Sequence, residues 1–321
     1  MTQFDVFNGD ADGICALIQL RLAEPKNSQL ITGLKRDINL LQQVTASAGD
    51  SITVLDVSLD KNRTGLEQAL ANGADVFYVD HHYCGELPVS PNFKAIINTT
   101  ADVCTSLLVN QHLQGQFIEW AMVGAFGDNL KKTATVLSKS LDLSATELEQ
   151  LEHLGICINY NGYGASLDDL HFTPTDLYQR LVQYKSPLLF IQQAKQDYAK
   201  LSAGYQSDMA AAQSLQPSYA NLQVAVYSLP NEAWARRVSG VYSNDLANQH
   251  PDRAHAVITL KANGNYLVSI RAPLNNKTGA DEFCRQFETG GGRAAAAGIN
   301  DLPAAHLNDF MARFAAFYRP I

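Results

Sequence analysis

The sequence predicts an α/β protein: a doubly wound parallel-sheet domain first, a helical connector, then a smaller α/β domain. Three observations predict it. Strand-like and helix-like segments alternate through the first 80 residues, the pattern of a parallel sheet with crossover helices. A long helical stretch, polar enough to be a connector, runs from about Leu188 to Leu215 and stops near Pro217. The last hundred residues change style, with strands joined by a tight-turn signal at Asn263-Gly264. With 321 residues, and roughly 100–200 residues per domain, two domains are expected. Their bounds are 1–187, a connector 188–216, and 217–321.

The elements follow in order. FDVF (4–7) is a short strand ending at Asn8-Gly9, and Gly13 to Leu22 is a helix with Ile14, Leu17, Ile18 and Leu22 on one face. A strand at LITGL (30–34) and a helix over 37–47 come next. SITVLDVS (51–58), with Ile52, Val54, Leu55 and Val57, reads as a buried parallel strand. A helix over 62–72 ends at Asn72-Gly73, and ADVFYVD (74–80) is the next strand. In such sheets ligands bind at the carboxyl ends of the strands. The middle reads as helical: Thr100 to Gln111, Ile118 to Phe126, and Leu141 to Leu154 with Ser144 and Glu147 as a capping box. Later, 222–229 is a strand, 254–260 and 266–272 form a hairpin, and 280–287 is a helix. TGGGRAAAAGI (289–299) follows, and an amphipathic helix spans 303–318.

Composition narrows the function classes. At 46% hydrophobic and 17% charged residues the chain can bury a core, which excludes disorder as its main state. Asp and Glu outnumber Lys and Arg by 32 to 24, for a formal net charge of −8. That disfavours coating by long nucleic acid, which needs a basic surface. A short anionic substrate held by a few local cations fits better. MTQFDVFNGDADG carries no basic signal-type region, no apolar run approaches the ~18 residues of a membrane helix, and the five cysteines form no CxxC pair. A soluble, cytoplasmic protein is expected.

Chemistry-bearing residues recur at one predicted sheet edge. Asp10-Ala11-Asp12-Gly13 follows the first strand, Asp56 ends ITVLD, Asp80-His81-His82 follows VFYV, and Asp128 follows an apolar segment. A single Asp after a strand is usually a cap or turn former. Independent caps have no reason to recur at one edge in this order. Several carboxylates with an imidazole suit a pair of Mn²⁺ or Mg²⁺ ions, and the absence of a thiolate cluster argues against zinc. Gly290, Gly291 and Gly292 would let backbone N–H groups approach a phosphate. The alanines after Arg293 could open a helix whose N-terminus favours anions. Arg293 and Arg271 are the candidate phosphate grips, ahead of Lys277 and Arg236. Asn159 to Gly164 reads equally as a cleft lining and as turn chemistry.

The order DxD, D, DHH, GD, followed by a Gly290-Gly291-Gly292-Arg293 to Ala297-Gly298 stretch, resembles the DHH phosphoesterase superfamily with a DHHA1 domain, and the resemblance spans nearly the whole chain. It implies a DHH catalytic domain, a connector and a DHHA1 substrate-binding domain. Asp10 and Asp56 would hold one divalent ion, and Asp12, Asp56, His81 and Asp128 the other, with Asp56 bridging. His82 would face the scissile phosphate and Asp80 would orient the histidines. The two ions, Mn²⁺ before Mg²⁺, would activate water and neutralise phosphate oxygens. The sequence departs from the family pattern at Val6, where many members carry His, at Asn8, where the nuclease branch often has Asp, and at Arg293, where His is usual.

A compact DHH plus DHHA1 chain resembles the nanoRNase and linear-dinucleotide phosphodiesterases. The implied activity is hydrolysis of short linear ribonucleotides, especially 5′-phosphorylated dinucleotides such as pGpG or pApA, to mononucleotides. The alternatives are a 3′,5′-bisphosphonucleotide (pAp) phosphatase, a RecJ-like single-strand exonuclease, and a nucleotide-binding module with impaired catalysis. No long nucleic acid and no membrane are expected as partners, and a homodimer stays open.

Overall fold

The computed structural model describes residues 1–318, so the final three residues of the expected second domain lie outside it. The chain divides into two compact units, Met1–Ala203 and Gly204–Ile321. The division falls inside the expected connector.

The first unit begins with β1 (Gln3–Phe7), α1 (Ala11–Ala23), β2 (Gln29–Ile31), β3 (Ser51–Leu55), α2 (Leu59–Ala71), β4 (Asp75–Asp80) and β5 (Phe93–Ile97). Every strand pairing is parallel and the order is β2-β1-β3-β4-β5. The chain leaves β1 toward β2 on one side and returns to β3 on the other. The crevice at the carboxyl ends of β1 and β3 is therefore the topological switch point, where open α/β sheets bind ligands. Asp10 follows β1 and Asp56 follows β3, so the switch point has a carboxylate on each side.

Helices complete the unit: α3 (Thr105–His112), α4 (Ile118–Gly127), α5 (Lys131–Ser138), α6 (Ala145–Asn161), α7 (Pro174–Leu181), α8 (Pro187–Gln193) and α9 (Lys195–Gln213), the last running on into the second unit. α1 is buried from Ala11 to Arg21 on every face, and its polar Asp12, Gln19 and Arg21 are each hydrogen-bonded within the unit. Its Ile14, Leu17 and Ile18 are fully buried, each stabilising by roughly 1.5–3 kcal/mol. The capping box on α6 forms as the sequence predicts: Ser144 Oγ accepts from Glu147 N, and Glu147 accepts from Ser144 N.

The second unit contains β6 (Tyr219–Ala220), β7 (Val224–Leu229), α10 (Ala233–Gln249), β8 (Ala254–Leu260), β9 (Tyr266–Arg271), α11 (Ala280–Cys284), β10 (Gly290–Gly292), β11 (Ala296–Leu302) and α12 (Leu307–Phe317). Its sheet runs β10-β11-β9-β8-β7-β6, parallel only between β7 and β8, which α10 connects. Phe283 centres its core, with the rings of Phe287, Phe310, Phe314 and Phe317 each within 5.6 Å.

Several expectations need correction. The helix over 37–47 is only a 3-10 turn at Leu40–Gln43. The Asn62 amide takes the Leu41 N–H (3.0 Å) and donates to Ile38 O (2.6 Å), so backbone groups a helix would use are bound by α2. The strand at 30–34 is confined to β2, ending at Ile31. The helix from Thr100 starts only at Thr105, because Asp12 takes the N–H groups of Thr105 and Ser106. The stretch 188–215 breaks at Ala194 into α8 and α9. The alanines after Arg293 open no helix: Gly290–Gly292 pairs antiparallel with β11, so the glycine run is an edge strand. Among the described residues no helix is long and apolar enough to cross a membrane.

Candidate metal centre

Asp10 is the N-cap of α1. Its Oδ1 accepts from Asp12 N (3.0 Å) and Gly13 N (3.1 Å), satisfying two of the orphan donors of the first turn. Its Oδ2 is bound by the Lys35 ammonium. Burial and the nearby Asp128 push the Asp10 carboxyl up. Lys35 and the hydrogen bonds outweigh them, so Asp10 sits below the usual carboxylate range. The same pairing holds the Lys35 ammonium above its ordinary value against the cost of burial.

Asp12, in the first turn of α1, reaches the start of α3. Its Oδ1 accepts from Ser106 N (2.7 Å) and Ser106 Oγ (2.6 Å), and its Oδ2 from Thr105 N (2.7 Å). A carboxylate oxygen can accept two bonds, so these three leave Oδ2 with capacity for a further ligand. That oxygen lies 3.9 Å from His81 Nε2.

Asp56 follows β3 in a left-handed conformation, φ +56°. Asp tolerates this better than most residues, and a strained backbone of this kind is concentrated at functional sites. Its backbone N–H is tied to Val79 O on β4 (3.1 Å). Its Oδ1 is 3.3 Å from His81 Nε2 and 3.4 Å from Thr105 Oγ1. Burial first, then Asp12 and Asp10, raise its carboxyl well above the ordinary range, with His82 opposing.

Asp80 closes β4 and organises both imidazoles. Its Oδ1 accepts the backbone N–H of His81 (2.8 Å) and bonds His82 Nδ1 (2.7 Å). A carboxylate only accepts, so Nδ1 of His82 carries a proton and Nε2 is the outer nitrogen. Burial lowers the His82 pKa, but the hydrogen bond and charge of Asp80, with Asp56, raise it overall. His81 Nδ1 faces Val103 O at 2.9 Å. A carbonyl also only accepts, so Nδ1 is protonated and Nε2 is the atom turned toward Asp56 and Asp12.

These donors fit a divalent ion. In the neutral ring, an Nε2 lone pair facing two carboxylate oxygens is repulsive unless a cation lies among them. One ligand atom from each of Asp56, His81 and His82 lies within 4.8 Å of the others. Oxygen ligands with imidazole nitrogen match Mn²⁺ or Mg²⁺ better than thiolate-loving ions. The His81–Val103 and His82–Asp80 bonds are the outer contacts that fix the tautomer of a metal-bound imidazole.

Asp128 comes from a helix end, not a strand: it caps the C-terminus of α4. It lies close enough to Asp10 and Lys35 to perturb both. Gly127 permits this approach, since a Cβ there would stand 2.3 Å from the Ala11 Cβ and 2.8 Å from Gly155 O. The sequence offers Asn159 only under two readings, a cleft lining or a turn, and gives no signal for Lys35, Thr105 and Ser106 as members of this constellation. Asn159 accepts from Lys35 Nζ at 2.9 Å, whereas Asn161 holds the backbone of His171 and Phe172. The Asn8 amide donates to Lys35 O at 3.4 Å, and Val6 is fully buried in β1.

The other candidates lie in the second unit. Gly290 is packed against Cys284 O, and Gly292 has φ +142° with its α-hydrogen side against Ala297. Gly291 alone faces open space. Arg293 is exposed in the β10–β11 turn, its backbone paired with Ala296. Arg271 is engaged inward: Nε donates to Asn244 Oδ1 (2.6 Å), Nη1 to Ile270 O (3.1 Å) and Nη2 to Gly240 O (3.4 Å). Arg236 donates to Asn231 Oδ1 at 2.6 Å.

No family model matches the sequence, and no curated protein matches it. Solved structures do. Exonuclease RecJ bound to manganese superposes with a TM-score of 0.64 at 16% identity, over 98% of this chain and 90% of that one. The pGpG-specific phosphodiesterase PggH from Vibrio cholerae gives 0.59 at 14% identity, over 98% of both chains. RecJ in complex with Mn²⁺ from Thermus thermophilus gives 0.56 at 16% identity, over 98% of this chain and 52% of that one. The chain shares the fold of these structures, and its DxD, Asp, DHH and GD motifs converge at the carboxyl edge of its parallel sheet.

Proposed function

We propose that this chain is a metal-dependent phosphodiesterase that hydrolyses short linear ribonucleotides, 5′-phosphorylated dinucleotides such as pGpG or pApA above all, to mononucleotides. The observation that carries the reading is His81 Nε2 turned toward Asp56 and Asp12 at the sheet's switch point, beside a His82 locked by Asp80. Asp12, Asp56, His81 and Asp128 would hold Mn²⁺ or Mg²⁺, which supplies Lewis acidity toward a phosphate oxygen and a more acidic water. His82, with Nδ1–H committed to Asp80, keeps Nε2 for the scissile phosphate. Its raised pKa favours the protonated ring, which can neutralise a phosphate oxygen or protonate the departing oxygen. Asp80 is a positioning residue for both rings. In the second unit, the open face of Gly291 and the exposed Arg293 are the candidate phosphate contacts.

The fold shared with PggH end to end, together with the acidic balance, supports a short substrate. A second reading, a single-strand exonuclease, is favoured by the higher structural similarity to RecJ. A substrate panel separates them. Purified protein with Mn²⁺ is offered pGpG, pApA, longer RNA, single-stranded DNA, pAp, pyrophosphate and cyclic dinucleotides. The reading expects mononucleotides from the dinucleotides at a kcat/KM well above that for long strands. Preferential degradation of long single strands would transfer the assignment to the exonuclease, and release of phosphate from pAp alone to the phosphatase.

A further inference from the structure

The expectation of two ions does not fit this site. The ion over Asp10 and Asp56 would need an oxygen of Asp10, of which Oδ1 is filled and Oδ2 already faces a cation. Oδ1 receives two backbone N–H groups of the α1 first turn, which fills its two lone pairs. Oδ2 receives the Lys35 ammonium. Lys35 is not a surface side chain that has drifted inward. Its backbone N–H donates to Gly162 O (2.9 Å), and its carbonyl accepts from Asn8 Nδ2 (3.4 Å). Its Nζ donates to Asn159 Oδ1 (2.9 Å) and lies 5.5 Å from the Tyr163 ring centre. Carboxylate, amide oxygen and aromatic face are the surroundings that suit an ammonium. A divalent ion takes carboxylate oxygen at 2.0–2.6 Å, so one on Asp10 Oδ2 would be forced against the ammonium with like charge. Val6, apolar and buried, adds no ligand on this side.

We propose that the centre takes a single divalent ion, held by Asp12, Asp56, His81 and Asp128, and that the Lys35 ammonium occupies the place of a second cation on Asp10. This rests on the metal-dependent reading above and specifies it. One positive charge is then covalently part of the chain, held by Asp10 and Asn159, and does not exchange with the medium.

The test is a Mn²⁺ titration of the full chain, followed by calorimetry and by EPR. The expected result is one ion per chain and the six-line spectrum of an isolated Mn²⁺. Two ions per chain with an exchange-coupled spectrum would overturn the proposal while leaving the phosphodiesterase reading intact, and no bound ion would overturn both. Lys35→Met removes the charge and keeps the bulk of the stem. It is expected to add a second, weaker binding step as Asp10 Oδ2 becomes open. A single step of unchanged affinity in that variant would overturn the role given to Lys35. One ion bound with no hydrolysis of any substrate would instead leave the stoichiometry standing and remove the catalytic reading.

Discussion

Asp80 Oδ1 holds His82 through Nδ1 at 2.7 Å while also accepting the His81 backbone N–H at 2.8 Å. One buried oxygen thus sets the orientation of one ring and the backbone of the next. Asp80→Asn should therefore lower turnover by roughly 10–100-fold, the usual effect of losing a partner that orients an imidazole. Substrate affinity should change little. In the metal-free protein, NMR titration should find the His82 pKa lower in the variant than in the wild type, because the carboxylate that raises it is gone. An unchanged His82 titration would contradict the assignment.

Asp56 combines two demands that different substitutions separate. Asn keeps the left-handed φ of +56° at low cost and removes the charge. Asp56→Asn should raise the melting temperature of metal-free protein, since it removes a charge buried beside Asp10 and Asp12. It should also abolish the stabilisation that added Mn²⁺ gives. Asp56→Val should be less stable than Asp56→Asn by about 1–3 kcal/mol, because a β-branched residue resists that backbone region. Chemical denaturation with and without Mn²⁺ measures both differences.

The second unit has an acid-sensitive element. His255 is fully buried in β8, stacked on His250 at 6.0 Å. Burial, then Arg253 and His250, push its pKa down to about 4. Unfolded, the ring titrates near 6.5. Between those values the unfolded chain binds a proton that the folded one refuses, so stability falls as pH drops from 6.5 toward 4. The loss is roughly 3 kcal/mol by linkage. Urea denaturation across this window should register it, and His255→Phe should flatten that part of the profile.

The glycine run divides by role. Gly292→Ala should destabilise by about 2 kcal/mol, since φ is +142° and the new Cβ would stand 2.5 Å from the Ala297 Cα. Gly291→Ala meets nothing within 4 Å and should fold normally. Arg293→Ala should raise KM about tenfold, the loss of one phosphate contact of about 1.4 kcal/mol. Equal KM for Arg293→Ala and wild type would remove Arg293 from substrate binding.

The candidate site residues at the strand ends were legible because period and turn chemistry are local there. ITVLD and VFYVD end on their own carboxylates, FDVF is followed by Asp10 three residues on, and parallel strands deliver such ends to one edge. What the sequence hid was non-local. Lys35 lies between Gly33 and Asp37 with no motif around it, and becomes part of the site only because Gly162 and Asn159, over 120 residues away, hold it there. Thr105 and Ser106 read as interior helix, but α3 begins at them and Asp12 binds their N–H groups. The glycine run misled for the opposite reason. Local composition suggested a phosphate-binding helix start, and pairing with β11 made it a strand.

The central claim is that the Asp and His side chains at the switch point make a hydrolytic metal centre. Its most direct test is mononucleotide release from pGpG by wild type and Asp56→Asn under the same Mn²⁺ concentration. The account predicts two GMP per pGpG from the wild type and a rate at least 10³-fold lower from the variant. Equal rates from the two proteins, or no release by a wild type that demonstrably binds Mn²⁺, would contradict it.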